Sequence, residues 1–210
     1  MKVIAVLNQK GGSGKTTIAT HLARAFQMRG KRVLLVDSDP QGSARDWSAA
    51  NENQPLVTIG MDRPTLDRDL RALSGQCDIA VIDGAPQAHE LAISAMKAAD
   101  LVLIPVQPSP YDIWAAADLV ELVKARQSIT DGKLKAAFIV SRAIKGTKIG
   151  NEIIEALNGY DLPILSTKIF QRVLYPTSAA KGGTVLDDEP NGDAASEIRQ
   201  LTTEIELMLN

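Results

Sequence analysis

The sequence predicts an α/β protein of three layers, a mostly parallel, twisted sheet with helices on both faces. Three observations point there. Short apolar runs alternate with helical stretches along the whole chain. Several runs, such as Val33-Leu34-Leu35-Val36 and Leu101-Val102-Leu103-Ile104, are continuous rather than alternating, the pattern of strands covered on both faces. The first run, Val3-Ile4-Ala5-Val6-Leu7, passes through a glycine-rich segment into a helical pattern, the order of a strand–loop–helix unit.

Taken in order, the apolar runs predict strands at 2–8, 32–37, 56–59, 78–83, 100–105, 134–141 and 164–169. The 3.6-residue pattern predicts helices at 15–29, 43–51, 65–74, 88–98, 111–128, 147–158, 171–180 and 192–209. In such a sheet, ligands bind beyond the carboxyl ends of the strands. The residues richest in chemistry fall there.

A chain of 210 residues that is 45% hydrophobic suits one globular domain, residues 1–210, with a sizeable core. No internal repeat or linker divides it. One cysteine, Cys77, excludes an internal disulfide framework and fits a reducing compartment. No apolar run nears the roughly 20 residues of a membrane span, and no signal peptide precedes the first strand. The expectation is a soluble, cytoplasmic protein.

The net charge of −2 is unevenly spread: residues 131–181 carry 8 basic and 4 acidic side chains, and residues 182–210 carry 1 and 7. An electrostatic footprint for nucleic acid would lie in the first of these blocks.

Residues 9–17, Gln9-Lys10-Gly11-Gly12-Ser13-Gly14-Lys15-Thr16-Thr17, read as a phosphate-binding loop. Glycines let backbone N–H groups turn toward an anion, and the helix N-terminus that follows favours negative charge. Lys15 suits the β/γ-phosphates and the Thr16 hydroxyl suits Mg²⁺. The fold is therefore expected to be that of a three-layer P-loop NTPase, with a nucleotide's phosphates held by Gly11 to Thr17. Two further strands end in carboxylates, Asp37-Ser38-Asp39-Pro40-Gln41 and Asp83-Gly84-Ala85-Pro86. Beside a phosphate loop, such carboxylates suit the hard-oxygen shell of Mg²⁺.

Gln9 stands where the common loop has its first glycine, and Lys10 is an extra lysine. This K-G-G-x-G-K-T-T string resembles the deviant Walker A loop of the ParA/MinD family of ATPases. From the residues alone, Lys10 is equally well a solvated loop lysine. The resemblance implies that it reaches across a homodimer to the partner's nucleotide, so that ATP is sandwiched between two copies. The single cysteine excludes a nitrogenase iron protein, a relative that holds its cluster with two cysteines per chain. The other motifs resemble that family's switch I (D-x-D-P-Q) and Walker B (hhhhD). The resemblance implies that Asp39 orients the attacking water, and that Asp83 holds a Mg²⁺-bound water with Asp37 in support. Lys10, Lys15 and Asp39 are then the catalytic set, and Thr16, Asp37 and Asp83 the metal set.

Thr167-Lys168-Ile169-Phe170-Gln171-Arg172-Val173 resembles the family's base-contacting loop, with Phe170 and Arg172 at its proline and asparagine positions. Phe170 and Arg172, with Arg142 at a strand end, are the candidate adenine contacts; a core role for Phe170 stands equally open. Lys145, Lys148, Lys168, Arg172 and Lys181 are the candidate surface for nonspecific DNA binding through phosphates. As a charge set alone, such a scatter is usually a solvated face.

The resemblance spans Lys2 to about Val185 and points to small, ParF-like plasmid-partition proteins. It implies a weak Mg²⁺-dependent ATPase, ATP-driven dimerisation, nucleoid association and a ParB-type centromere-binding partner that stimulates hydrolysis. Two rivals remain. One is a MinD-like membrane-cycling regulator, but the last helix carries Glu197, Glu204 and Glu206 beside its stripe of Ile198, Leu201, Ile205 and Met208. Anionic lipid repels such a helix, so the stripe is expected to pack on the core. The other is a metabolic P-loop ligase or kinase, a class without the Lys10 signature.

Overall fold

The computed structural model describes residues 1–53, 56–86, 89–146 and 149–210, the side chains of 149–152 being left aside. The elements follow in the order β1 (Lys2–Val6), α1 (Lys15–Met28), β2 (Val33–Asp37), α2 (Ser43–Ala49), β3 (Val57–Gly60), α3 (Leu66–Arg71), β4 (Ile79–Asp83) and α4 (His89–Ala98). Then come β5 (Leu101–Val106), α5 (Pro110–Trp114), α6 (Ala117–Ile129), β6 (Lys135–Val140), α7 (Ile149–Asn158), α8 (Leu174–Ala179), α9 (Val185–Asp188) and α10 (Asp193–Leu209).

The strands form one sheet in the order β3-β2-β4-β1-β5-β6, and every pairing is parallel. The continuous apolar runs are explained by two cores, one on each face. Ile4, Val6, Leu35, Val81 and Leu103 face a cluster built with α1 and α10. Val3, Ala5, Leu34, Ile82 and Val102 face a second cluster built with α3, α4 and α6. The stripe Ile198, Leu201 and Ile205 is fully buried in the first cluster, with Met208 packed against it, as the charge pattern of that helix predicted. Among the described residues no helix is long and apolar enough to cross a membrane.

The chain leaves β1 toward β2 on one side of it, and β5 joins on the other. This reversal of strand order opens a crevice at the carboxyl end of β1. The loops after β1, β2, β4, β5 and β6 all surround it.

Three expectations are corrected. Residues 164–169 are not a strand: only the bridges Phe138–Ile164 and Ala143–Phe170 form, both parallel. Pro163 has no N–H to give, and the Glu204 carboxylate takes the N–H groups of Ser166 and Thr167, both at 2.9 Å. It also accepts both hydroxyls. A half-buried side-chain acceptor thus draws off donors that a ladder would use.

The helix expected at 111–128 is divided into α5 and α6. The Ile113 carbonyl accepts from the Tyr160 hydroxyl at 3.1 Å and from Ala116 N–H at 3.1 Å, in place of the i+4 bond that would continue the helix. The last expected helix, 192–209, is preceded by an unforeseen turn, α9, held by a capping box of Thr184 and Asp187.

Candidate nucleotide site

The phosphate loop is held from three sides. Asn8 donates from Nδ2 to the Pro105 carbonyl at 2.6 Å and accepts Lys10 N–H at 2.9 Å. Gln107 donates from Nε2 to the Gly12 carbonyl at 2.7 Å. Gly14 has φ +96°, and a Cβ there would lie 2.6 Å from Ser141 Oγ, so only glycine fits. Gly11 and Gly12 are exposed while Ser13 and Lys15 are buried, which leaves the loop's outer side open. Thr16 and Thr17 are half-buried at the start of α1.

Lys15 donates to the Lys10 carbonyl at 2.9 Å. Burial lowers its pKa, against the raising influence of Asp83 and Asp39, so a negatively charged ligand would be favoured beside it. Lys10 folds back on its own chain: Nζ lies 2.6 Å from Oδ2 of Asp112. Asp112 is buried at 3% side-chain exposure, and its Oδ1 has no partner among the described residues.

The two carboxylate strand ends lie side by side, Asp37 opposite Asp83 in the β2–β4 register. Asp83 is buried, and among the described residues neither of its oxygens meets full hydrogen-bond geometry, though the Thr16 hydroxyl lies close enough to act on it. Burial raises its pKa to about 7; the Thr16 hydroxyl lowers it and Asp37 raises it further. A buried, unsatisfied carboxyl next to Thr16 and Lys15 is the environment a cation relieves, so the donor set fits Mg²⁺. Among the described residues no group of three or more His, Cys, Asp or Glu forms a ready cage.

Asp37, expected to support the magnesium shell, has hydrogen-bond work of its own. Its Oδ1 accepts Asp39 N–H at 3.0 Å and its Oδ2 accepts Arg45 N–H at 2.9 Å, with Arg45 Nε at 3.4 Å. Its observed work is to fix the turn that carries Asp39. Asp39 is half-buried and accepts Gln41 N–H at 2.9 Å, which aims this carboxylate from a defined turn. Gly84, whose role the sequence left open, is a close-approach glycine: a Cβ would lie 2.7 Å from the Val6 carbonyl and 2.5 Å from Leu7 Cδ2.

The three expected base contacts come together. Arg142, Phe170 and Arg172 line one cleft of about 270 Å³ with Gly14, Thr17 and Ile18 of the loop and α1. Lys145 lies 5.8 Å from the Phe170 ring centroid. Sequence reasoning missed Ser141, Gln171, Tyr175 and Pro176 of the same cleft. It also missed Asn8, Gln107 and Asp112; the last two follow the end of β5, where the strand-end rule could have found them.

Three residues of the expected basic surface carry acidic partners. Arg172 is ion-paired to Glu197 and lies 3.6 Å from Asp193. Lys145 pairs with Asp193 at 3.0 Å and Lys181 with Asp188 at 2.8 Å. The acidic C-terminal block folds over the basic block, so counting charges by segment overstated the bare positive surface. Lys168 is half-buried, and Lys148 lies outside the described residues.

Residues 4–185 match the family described as the CobQ/CobB/MinD/ParA nucleotide binding domain. Maintenance of carboxysome distribution protein A from Halothiobacillus neapolitanus is 32% identical over 208 residues, 96% of this chain and 95% of that protein. Sporulation initiation inhibitor protein Soj of Bacillus subtilis is 27% identical, over 97% and 98% of the two chains. The septum site-determining protein MinD of Pyrococcus horikoshii, complexed with Mg-ADP, shares the fold at a TM-score of 0.75. It is 19% identical, over 98% of this chain and 96% of that one.

Proposed function

The chain belongs to the CobQ/CobB/MinD/ParA family of nucleotide-binding domains, and from that premise we propose that it is a partition ATPase. In this reading it uses ATP and Mg²⁺ to form a sandwich dimer that distributes a cargo over nucleoid DNA. The observation that carries it is Lys10: an extra lysine on an open loop, parked on Asp112 rather than built into the core. It is available to a second copy's phosphates.

The chain's residues divide the work. Backbone N–H groups of Gly11 to Thr17 cradle the phosphates, and Lys15 exchanges the Lys10 carbonyl for phosphate oxygens. Thr16 and Asp83, with Asp37 behind them, would hold Mg²⁺, which would offset the negative charge of the phosphates. Asp39 orients the attacking water from its turn. Arg142, Phe170 and Arg172 border the base. Hydrolysis by these parts is slow until a ParB-type adaptor bound to the cargo stimulates it.

In one copy, Lys145, Arg172 and Lys181 are paired internally. Appreciable DNA affinity is therefore assigned to the ATP-bound dimer, in which the basic residues, including Lys148 and Lys168, are doubled. The cargo of the first reading is a plasmid. A second reading, a protein organelle as cargo, is favoured by the 32% identity to the carboxysome distribution protein over nearly its whole length.

Sedimentation with and without ATP and Mg²⁺, followed by DNA retention in a salt series, tests the reading. A nucleotide-dependent dimer with salt-sensitive, sequence-independent DNA retention is expected. A monomer indifferent to ATP overturns it. Deletion in the source cell then separates the cargoes, by plasmid loss or by clumped organelles.

A further inference from the structure

Helix α5 is short and fixed on its inner side. Asp112 is buried and ion-paired to Lys10, and Ile113 is 5% exposed in the second core. The Tyr160 hydroxyl donates to the Ile113 carbonyl at 3.1 Å. Just before the helix, Gln107 holds the Gly12 carbonyl at 2.7 Å. The outer side carries Tyr111 and Trp114, one helical turn apart, at 72% and 66% exposure. Their rings meet edge to face, centroids 5.5 Å apart and planes at 81°.

Two large aromatic rings left in water next to a ligand loop are the residue types that dominate interface centres. Because α5 is anchored and the rings already support each other, little freedom is lost when something covers them.

We propose that Tyr111 and Trp114 form an apolar contact by which two copies of this chain close over the nucleotide. The proposal rests on the sandwich-dimer reading above. The occupant is a second copy for two reasons. Lys10, itself 38% exposed, pairs with Asp112 of α5, so the helix that carries the rings stands beside the loop that a second copy covers in the sandwich reading. The only charged side chain of α5, Asp112, is buried and neutralised by Lys10. The outer side of α5 therefore brings no bare charge of its own to a copy met about a two-fold axis, the next exposed carboxylate along the chain being Asp118 of α6.

Tryptophan emission of the full chain tests this directly. Trp47 is buried, its indole N–H bonded to the Gly183 carbonyl at 3.0 Å, so a change on dimerisation reports Trp114. With ATP and Mg²⁺, a blue shift and a loss of acrylamide quenching are expected to track the sedimentation dimer, and Trp114→Phe abolishes the shift. Tyr111→Ser with Trp114→Ser is expected to weaken dimerisation by about tenfold or more, while a fluorescent ATP analogue binds the dilute monomer unchanged. Tyr111→Phe with Trp114→Phe keeps the dimer, which separates lost contact from lost folding.

A wild-type dimer in which Trp114 stays quenchable, or a Ser variant that dimerises as well as wild type, overturns this proposal and leaves the sandwich reading standing. A wild type that never dimerises overturns both. A blue shift produced only by phosphatidylglycerol vesicles assigns the patch to membrane and overturns the second copy as its occupant.

Discussion

Lys10 and Asp112, 102 residues apart in sequence, form an ion pair of 2.6 Å that closes the phosphate loop onto the helix after β5. The lysine is 38% exposed and the carboxylate 3%, so the partners do not have equal freedom. Lys10 can leave for water or a ligand; Asp112 cannot.

That asymmetry predicts how the two residues behave in a mutant cycle. Lys10→Ala strands a buried carboxylate and should lower unfolding free energy by about 1–3 kcal/mol. Adding Asp112→Asn removes the buried charge and should recover most of that loss, a coupling readable in urea titrations. ATP-dependent dimerisation should stay absent in both, because the lysine itself is gone.

The buried ammonium of Lys15 and the turn-mounted carboxylate of Asp39 should fail in different ways. Lys15→Ala is expected to abolish both nucleotide binding and hydrolysis. Asp39→Ala should bind ATP nearly as wild type and turn it over at least about 100-fold more slowly, if the carboxylate positions the water. Equilibrium binding measured beside phosphate release distinguishes the two; an Asp39→Ala protein with parental turnover removes the assigned role.

Gly84 marks where the end of β4 runs against β1. With a Cβ placed 2.7 Å from the Val6 carbonyl, Gly84→Ala must push backbone apart and should cost about 1–3 kcal/mol. A lower melting temperature should accompany weaker nucleotide binding, since Val6 leads directly into the loop.

His21 sets a pH dependence. It is buried in α1, its Nε2 accepts Val185 N–H at 3.1 Å, and Nδ1 lies 2.7 Å from the Thr17 carbonyl. Burial lowers its pKa from 6.5 to about 4, against the raising influence of the Thr17 carbonyl and Asp187. The unfolded chain therefore binds the proton first as pH falls. This contribution is complete above pH 6.5 and lost between about 6.5 and 4, by about 3 kcal/mol over the whole window. Melting curves at pH 7 and pH 5 should show the loss, and His21→Gln should flatten that part of the profile.

Much of this was legible before folding. Residues 9–17 carry loop, charge and helix start in one stretch, so their placement needed only local geometry. Asp37, Asp39 and Asp83 were found because strand ends gather at one edge of a parallel sheet. Residues 164–169 misled for a physical reason: an apolar run pairs as a strand only if its N–H groups are free, and Glu204 draws off those of Ser166 and Thr167. Tyr175 carried no local mark, since it belongs to neither a glycine loop nor a strand end.

By itself the sequence determined the layered fold, the phosphate loop and the carboxylates beside it, because these depend on periodicity and on chemistry within a few residues. Only the tertiary structure decided how the charges are spent. It paired Lys10 with Asp112, bound Asp37 into the switch turn, and laid the acidic last helix over Lys145 and Arg172. Coulomb attraction acts on distance in space, and spacing along a chain does not encode that distance until the sheet and helices have set it.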